Sequence, residues 1–333
     1  MAVINVTPLM NINALIASDN VNEGDVLLLE EGIYFQTVNV QKSNIRIAAK
    51  GPGVIFDGRV ILFTAFTLSN VVGVIIEGIN IRNYRFESII VQSASGNRII
   101  KNSIINNPLS DGIRLINSSG NLIWKNEICR SFVGISLSLN CTNNWIIENI
   151  VKEGFNSGYT TSMPSATSNG FISNTATENT GFAANITGSN NLVFDNKFIE
   201  NGQGILMMNG NDPLVIGNKI KGLRFTGYLA FLDISNHFVG ENHISCNGLE
   251  GIENLGQFGM FINNELSYNR DTGIKLDVNS ARNLIMYNKL VCNIPANILD
   301  SGTDNNFINN IDKPCEPCES PSDVCVNCSD EET

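Results

Sequence analysis

Charge is scarce in this chain: only 16% of its 333 residues are Asp, Glu, Lys or Arg, against roughly 25% in an ordinary soluble domain. What charge exists is unbalanced, with 21 basic against 32 acidic side chains and a net charge of −11, which argues against a nucleic-acid partner. Histidine occurs twice, as His237 and His243. No cysteine or carboxylate stands near either at metal-ligand spacing, so neither is given a metal or catalytic role. Nucleophile motifs, phosphate-binding loops and zinc-protease signatures are missing, and no cofactor is expected. No apolar run approaches a membrane span, and the first ten residues lack a charged leader with a long apolar core. Synthesis in the cytoplasm is expected, with a final location on a cell, spore or virion surface reached without a signal peptide. Helix-length periodic stretches are also missing, because glycine interrupts the body every few residues.

What is present is one phrase repeated. From Gly96 onward an apolar run closes on an asparagine, an apolar residue follows two places later, and a polar turn leads to glycine and a short apolar strand. The beats are Asn102, Asn126, Asn149, Asn174, Asn196, Asn218, Asn242, Asn264, Asn288 and Asn310, spaced 22 to 25 residues apart. A period of this length marks a solenoid. The segments are rich in Ile, Val, Phe and Asn, which favours strand over helix and excludes a leucine-rich repeat. Three short strands per turn with one polar residue at one corner describe a single-stranded right-handed parallel β-helix. The asparagines are read as a structural ladder, each tolerating a left-handed turn and bonding the coils above and below.

Before the repeats, the order GD, apolar strand, G-x-Y, strand, K-S-N-I, strand, G-x-G, strand, D-G covers Gly24 to Gly58. It resembles the entry coils of pectate-lyase-like β-helix proteins, and the later repeats look like those of the NosD or CASH (PbH1) group. The resemblance spans about residues 20–312. It implies the fold but not the activity, since this superfold hosts lyases, hydrolases, epimerases, phage fibres and adhesins. The expected organisation is an N-terminal cap over 1–20, with residues 8–17 forming one or two helical turns with Leu9, Ile12, Leu15 and Ile16 on one side, then a β-helix over 21–312 and a tail over 313–333.

Relatives of this kind place chemistry on the strand after each glycine. If Ile113, Ile135, Ile205, Ile252 and Ile274 point inward, the outward residues include Arg114, Ser136, Ala183, Leu206, Leu229, Glu253, Lys275 and Asp277, which is no acidic groove. Glu253, Lys275 and Asp277 form the one close set, an acid, a cation and a base in the catalytic reading and a cross-strand ion pair with a solvated neighbour in the structural one. Asp111, Glu250 and Asp271, in the turns before these strands, are read as ordinary loop composition.

The strand before each beat is apolar on both faces. Ile99, Ile123 and Ile146 begin the column three before the beat, whereas Ile100, Trp124, Ile147, Ile172, Phe194, Ile216, Ile262 and Met286 stand two before it and point the other way. Trp145 lies on the same outer side. A strand covered on one face alternates with polar residues, so a covered outer face is expected. The leading expectation is therefore a non-enzymatic surface-assembly protein that self-associates as a trimer or layer, with surface-layer proteins or glycans as further partners. The alternative is a carbohydrate-active enzyme or glycan-binding module, of the polysaccharide lyase or glycoside hydrolase kind.

The last 22 residues, from Asp312, hold seven acids against Lys313 and four of the eight cysteines. Such composition predicts a flexible segment. Cys315, Cys318, Cys325 and Cys328 are expected to cross-link through disulfides within the tail or between copies, with a zinc site as the weaker alternative. Cys129, Cys141, Cys246 and Cys292 are expected to be buried thiols.

Overall fold

The computed structural model describes residues 1–315, which divide into two compact units, Met1–Asn174 and the described part of Thr175–Thr333. Each is a right-handed parallel β-helix of three sheets. In unit 1 the first sheet takes the strands that precede each asparagine beat, such as Arg98–Ile100, Leu122–Trp124 and Trp145–Ile147, stacked in parallel. The second takes those that follow it, Ser103–Asn107, Glu127–Ser131 and Ile150–Lys152. The third takes the strands after the glycine turn, Ile89–Gln92, Ile113–Ile116 and Ile135–Ser138. Unit 2 repeats the scheme, with Leu214–Ile216, Lys219–Lys221 and Tyr228–Ala230 as one coil.

Alternation along each strand decides which side chains fill the core. Ile99, Ile123, Ile146 and Phe171 in unit 1, and Val193, Val215, Val239, Phe261 and Ile285 in unit 2, are buried inside the sheets. The glycines that open third-sheet strands are required by close approach of the coils. A Cβ on Gly204 would lie 1.9 Å from the Gly227 carbonyl oxygen, and one on Gly251 would lie 2.7 Å from that of Gly273.

The ladder expected at Asn102, Asn126 and Asn149 is present and buried. Asn126 Oδ1 accepts from both the backbone N–H and the Nδ2 of Asn102, each at 3.0 Å, while its own Nδ2 donates to Ile99 O at 2.8 Å and Asn149 Oδ1 at 3.0 Å. Unit 2 repeats this through Asn196, Asn218, Asn242, Asn264, Asn288 and Asn310. One detail corrects the sequence reading. The left-handed residue is the one before the asparagine, Lys101, Lys125 or Glu148 with φ of 54°, 53° and 52°, and the asparagine itself is free of that conformation. The side-chain amide is used for bonding between coils, and the preceding residue makes the corner.

Two further ladders were not anticipated. Five residues before the beat, Asn97, Asn121, Asn144 and Asn169 stack in unit 1 with amide-to-amide bonds of 3.0 Å. Five after it, Asn247, Asn269 and Asn293 do the same in unit 2 at 2.9 and 2.8 Å. Where these phases lose asparagine, buried polar atoms lose partners. His237 occupies the phase of the second ladder with Gly259 on the next coil, and neither of its ring nitrogens has a hydrogen-bond partner. Its ring lies between Tyr228 and Phe261, with centroids at 6.4 and 5.2 Å. In unit 1, Ser131 follows Asn107 in register, and Asn107 Oδ1 and Ser131 Oγ are both buried without a partner.

The N-terminal cap contains more than the expected helical turns. Strand Val3–Val6 pairs with Val26–Leu29 as a further rung, and the helix Ile12–Ala17 begins at Asn11, whose side chain accepts from Ala14 N–H at 3.0 Å. Ile12 and Ile16 are buried, whereas Leu9 is exposed.

The cysteines also correct the sequence reading. Cys292 is no free thiol but is bonded to Cys315, so this cysteine ties the start of the tail to the body. Cys246 is disulfide-bonded as well. Both occupy the left-handed position of the turn after a second-sheet strand, Cys292 buried and Cys246 half-buried. Cys129 and Cys141 are buried free thiols, as expected. Cys318, Cys325 and Cys328, with the expected flexible acidic tail and the zinc alternative, lie outside the described residues.

Two measurements test these packing arguments. Asn126→Ala strips one rung of its buried acceptor and donors and should lower unfolding free energy by about 2–4 kcal/mol, whereas Gln41→Ala, at an exposed position outside the ladders, should change it little in the same denaturant titration. His237 titrates near 6.5 when unfolded, and burial holds it down to about 4 in the fold. Between these values the unfolded chain binds the proton and the folded chain does not. Stability should therefore be full above pH 6.5 and fall as pH drops toward 4, by about 3 kcal/mol in all, and His237→Leu should remove that slope.

Candidate active site on the third sheet

The turn that enters each third-sheet strand places one side chain two residues before the strand. In unit 1 the register Ile89 to Ile113 puts Glu87 and Asp111 at equivalent positions on successive coils. Neighbouring strands lie about 4.8 Å apart, so two carboxylates at one phase are brought together by the coil repeat alone. The outward column of the same sheet runs Ile90, Arg114, Ser136 and Thr160. Arg114 Nη1 binds Glu87 Oε1 at 3.0 Å across the coils, and Ser136 Oγ donates to Asp111 Oδ2. Asn107 Nδ2 holds the turn by donating to the Asp111 carbonyl at 2.8 Å.

The electrostatics separate the two acids. Burial pushes the Asp111 carboxyl above its ordinary value, and the charge of Glu87 adds to this, against the opposing effects of the Ser136 hydrogen bond and Arg114. Glu87 is instead ion-paired with a guanidinium. A carboxyl biased toward its protonated form beside a charged carboxylate is the division that general acid–base chemistry on a glycosidic bond requires. Ser88 Oγ, next to Glu87, is buried with no hydrogen-bond partner.

In unit 2 the equivalent turn phase holds Thr226, Glu250 and Thr272. Lys275 Nζ bridges Glu250 Oε1 and Glu253 Oε1, both at 2.8 Å, and Thr226 Oγ1 donates to Glu250 Oε2 at 2.9 Å. The two carboxylates raise the lysine's pKa, and the lysine and Thr226, together with backbone bonding, hold Glu250 low against the effect of burial. Glu250 and Lys275 are thus held ionised, which suits a brace more than a proton donor. Of the residues singled out from sequence, Glu253 and Lys275 do meet. Asp277 does not join them, because its carboxylate caps its own turn, accepting from Asn279 N–H at 3.2 Å and Asn279 Nδ2 at 3.0 Å. Sequence reading passed over Glu87, Asp111 and Glu250. The signal that finds them is phase: each stands two residues before the first inward isoleucine of its strand. Among the described residues, no three His, Cys, Asp or Glu side chains gather closely enough to hold a metal ion.

A family model described as a right-handed beta helix region matches residues 165–312. No curated protein matches the chain by sequence. Among solved structures, a PL6 family polysaccharide lyase from Pseudopedobacter saltans aligns at a TM-score of 0.77 and 14% identity over 94% of each chain. The A-module of the Azotobacter vinelandii mannuronan C-5 epimerase AlgE6 aligns at 0.63 and 14%, covering 92% of this chain and 91% of that one. The catalytic domain of a GH87 alpha-1,3-glucanase aligns at 0.66 and 13%, covering 93% and 69%. Likeness at this identity shows the fold.

These structures overturn the leading expectation of a non-enzymatic assembly protein, since proteins sharing the fold include a lyase, an epimerase and a glucanase. The apolar columns on which that expectation rested do face outward, with Trp145 and Phe194 45% and 41% exposed. Much of the rest is half-covered by the chain's own side chains: Lys125 and Lys101 lie over the Trp124 ring at 4.9 and 5.8 Å, and Lys125 also pairs with Glu148 at 3.1 Å. Long charged side chains shelter apolar surface by their methylene stems, so outward orientation alone does not demand a second copy.

Proposed function

We propose that this protein is carbohydrate-active, binding a glycan across the outer face of the third sheet in unit 1 and hydrolysing a glycosidic bond there. The observation that carries the reading is the Glu87–Asp111–Arg114–Ser136 cluster, in which one carboxyl is biased toward its protonated form and its neighbour is ion-paired. The fold's occurrence in polysaccharide-processing enzymes supports it.

In this reading Asp111 donates its proton to the glycosidic oxygen as the bond from the anomeric carbon breaks. Glu87, about one coil spacing away, attacks that carbon as the bond breaks, and water then cleaves the resulting sugar ester, giving its proton to the Asp111 carboxylate. Arg114 orients Glu87 and offers further N–H groups to sugar hydroxyl or carboxylate oxygens. Ser136 positions the Asp111 carboxyl. In unit 2, the Glu250–Lys275–Glu253 triad is assigned to the support of its sheet.

The test is turnover of a glycan panel with reducing-end detection. Asp111→Asn should lower turnover at least about 100-fold with the melting temperature unchanged. A general acid works only while protonated, so activity falls above its pKa. Ser136→Ala removes a hydrogen bond that favours the carboxylate, raises the Asp111 pKa and should extend activity to higher pH. Undiminished turnover by Asp111→Asn would refute the assignment.

A further inference from the structure

Most lysines of this chain are matched: Lys50, Lys125, Lys152, Lys275 and Lys289 each lie within 3.1 Å of a carboxylate. Lys197, Lys219 and Lys221 pair with no carboxylate among the described residues, although they stand together on second-sheet strands Lys197–Ile199 and Lys219–Lys221 of unit 2. The register sets Lys197 directly beside Lys219, and alternation around the buried Phe198 and Ile220 turns all three side chains outward. Like charges opposite one another on neighbouring strands destabilise a sheet. In a chain of net charge −11, a basic ladder without acids calls for a counter-charge from outside the sheet.

Two half-cystines mark a path toward this ladder. Cys246, Tyr268 and Cys292 occupy one phase on successive coils, all left-handed, with φ of 58°, 56° and 50°. Cys292 holds Cys315, and Cys246 is disulfide-bonded too. Cys129 and Cys141 are free thiols, which leaves Cys318, Cys325 and Cys328 of the eight cysteines as partners for Cys246. The outward column beside the half-cystines reads Ser245 and Ser267, small side chains that form a low strip, and they are only 5% and 9% exposed. One coil further the same column reaches Lys221, in register with Ser245. Arg270, two residues past Tyr268, adds an exposed cation on the way.

We propose that residues 316–333 lie back along the outer face of the second sheet in unit 2, with one of their cysteines bonded to Cys246 and their carboxylates over Lys221, Lys219 and Lys197. Charge favours this occupant, since the segment holds six acids and no base. Reach allows it. Cys246 lies two coil spacings from Cys292, about 10 Å, which three residue steps from Cys315 to Cys318 just span. Lys197 lies about 19 Å from Cys292 by the same spacing, against about 60 Å for eighteen extended residues. Attachment at Cys315 also gives these acids a high effective concentration at the ladder, so that individually weak exposed ion pairs suffice. The segment then acts as a clasp, relieving the repulsion between Lys197 and Lys219 and tying together the coils between Cys246 and Cys292.

Zero-length carbodiimide cross-linking of the oxidised full chain, in an equal mixture of heavy-isotope-labelled and unlabelled protein, tests the proposal by peptide mass mapping. Amide bonds should join Lys219 or Lys221 to an acid of residues 316–333 within one chain, and non-reduced peptides should show Cys246 joined to Cys318, Cys325 or Cys328 of the same chain. Salt at about 1 M should lower the yield of those lysine links at least about threefold and leave the Cys246 bond intact. Lys197→Gln/Lys219→Gln/Lys221→Gln should quicken cleavage after Glu331 by a glutamate-specific protease at least about threefold. Links from the segment to other lysines alone, links only between labelled and unlabelled chains, no links, yields unchanged by salt, or an unchanged cleavage rate in the triple variant would overturn it.

Discussion

The bond between one side-chain amide and the equivalent amide a coil away is the constraint on which the remaining structure depends. A parallel β-helix turns its chain sharply at each corner, and the corner's backbone N–H groups would be left inside without partners. Asn126 resolves this by accepting from both the backbone and the side chain of Asn102 and donating to Asn149 in turn. Such a bond exists only when successive coils hold the same phase. The ladders therefore fix register as well as satisfying polar groups, and register brings residues of like phase into contact. Where the repeat drops its asparagine, the cost is visible in His237, whose nitrogens lack hydrogen-bond partners, and in Asn107 and Ser131.

The proposed chemistry is a consequence of that registration. Glu87 and Asp111 are 24 residues apart in sequence, yet equivalent turns on adjacent coils place them side by side. Their environments then separate their roles, burial and like charge acting on Asp111 while Arg114 pairs with Glu87. The same registration makes the Glu250–Lys275–Glu253 triad of unit 2. There two acids flank one base, every charge is paired, and a rigid brace results. One repeat phase thus yields either a brace or the proposed acid–base pair, according to which cation lies beside it and how deeply the acid is buried.

The three-sheet β-helix was legible because periodic asparagine and alternating apolar residues are properties of spacing alone. The inward column at Ile99, Ile123 and Ile146 and the outward one beside it follow from the alternation of strands. The second and third ladders were missed because interruptions at Pro213, His237, Gly259, Ser131 and Leu223 hide their period. Asp111 looked like ordinary turn composition, since one carboxylate in a turn carries no meaning until the register of the next coil is known. Asp277 misled for the complementary reason. It shares a strand face with Lys275 in sequence, but a local turn captures its carboxylate first. The outward apolar column was legible as a direction and illegible as a function, because one of the two lysine stems that cover Trp124, that of Lys101, comes from the neighbouring coil.

The most direct measurement is a crystal structure of the Asp111→Asn protein soaked with an oligosaccharide that the wild type cuts. The account predicts sugar density along the outer face of the third sheet in unit 1, with a glycosidic oxygen beside residue 111. Density along the apolar outer face of the first sheet, with the third sheet bare, would contradict it.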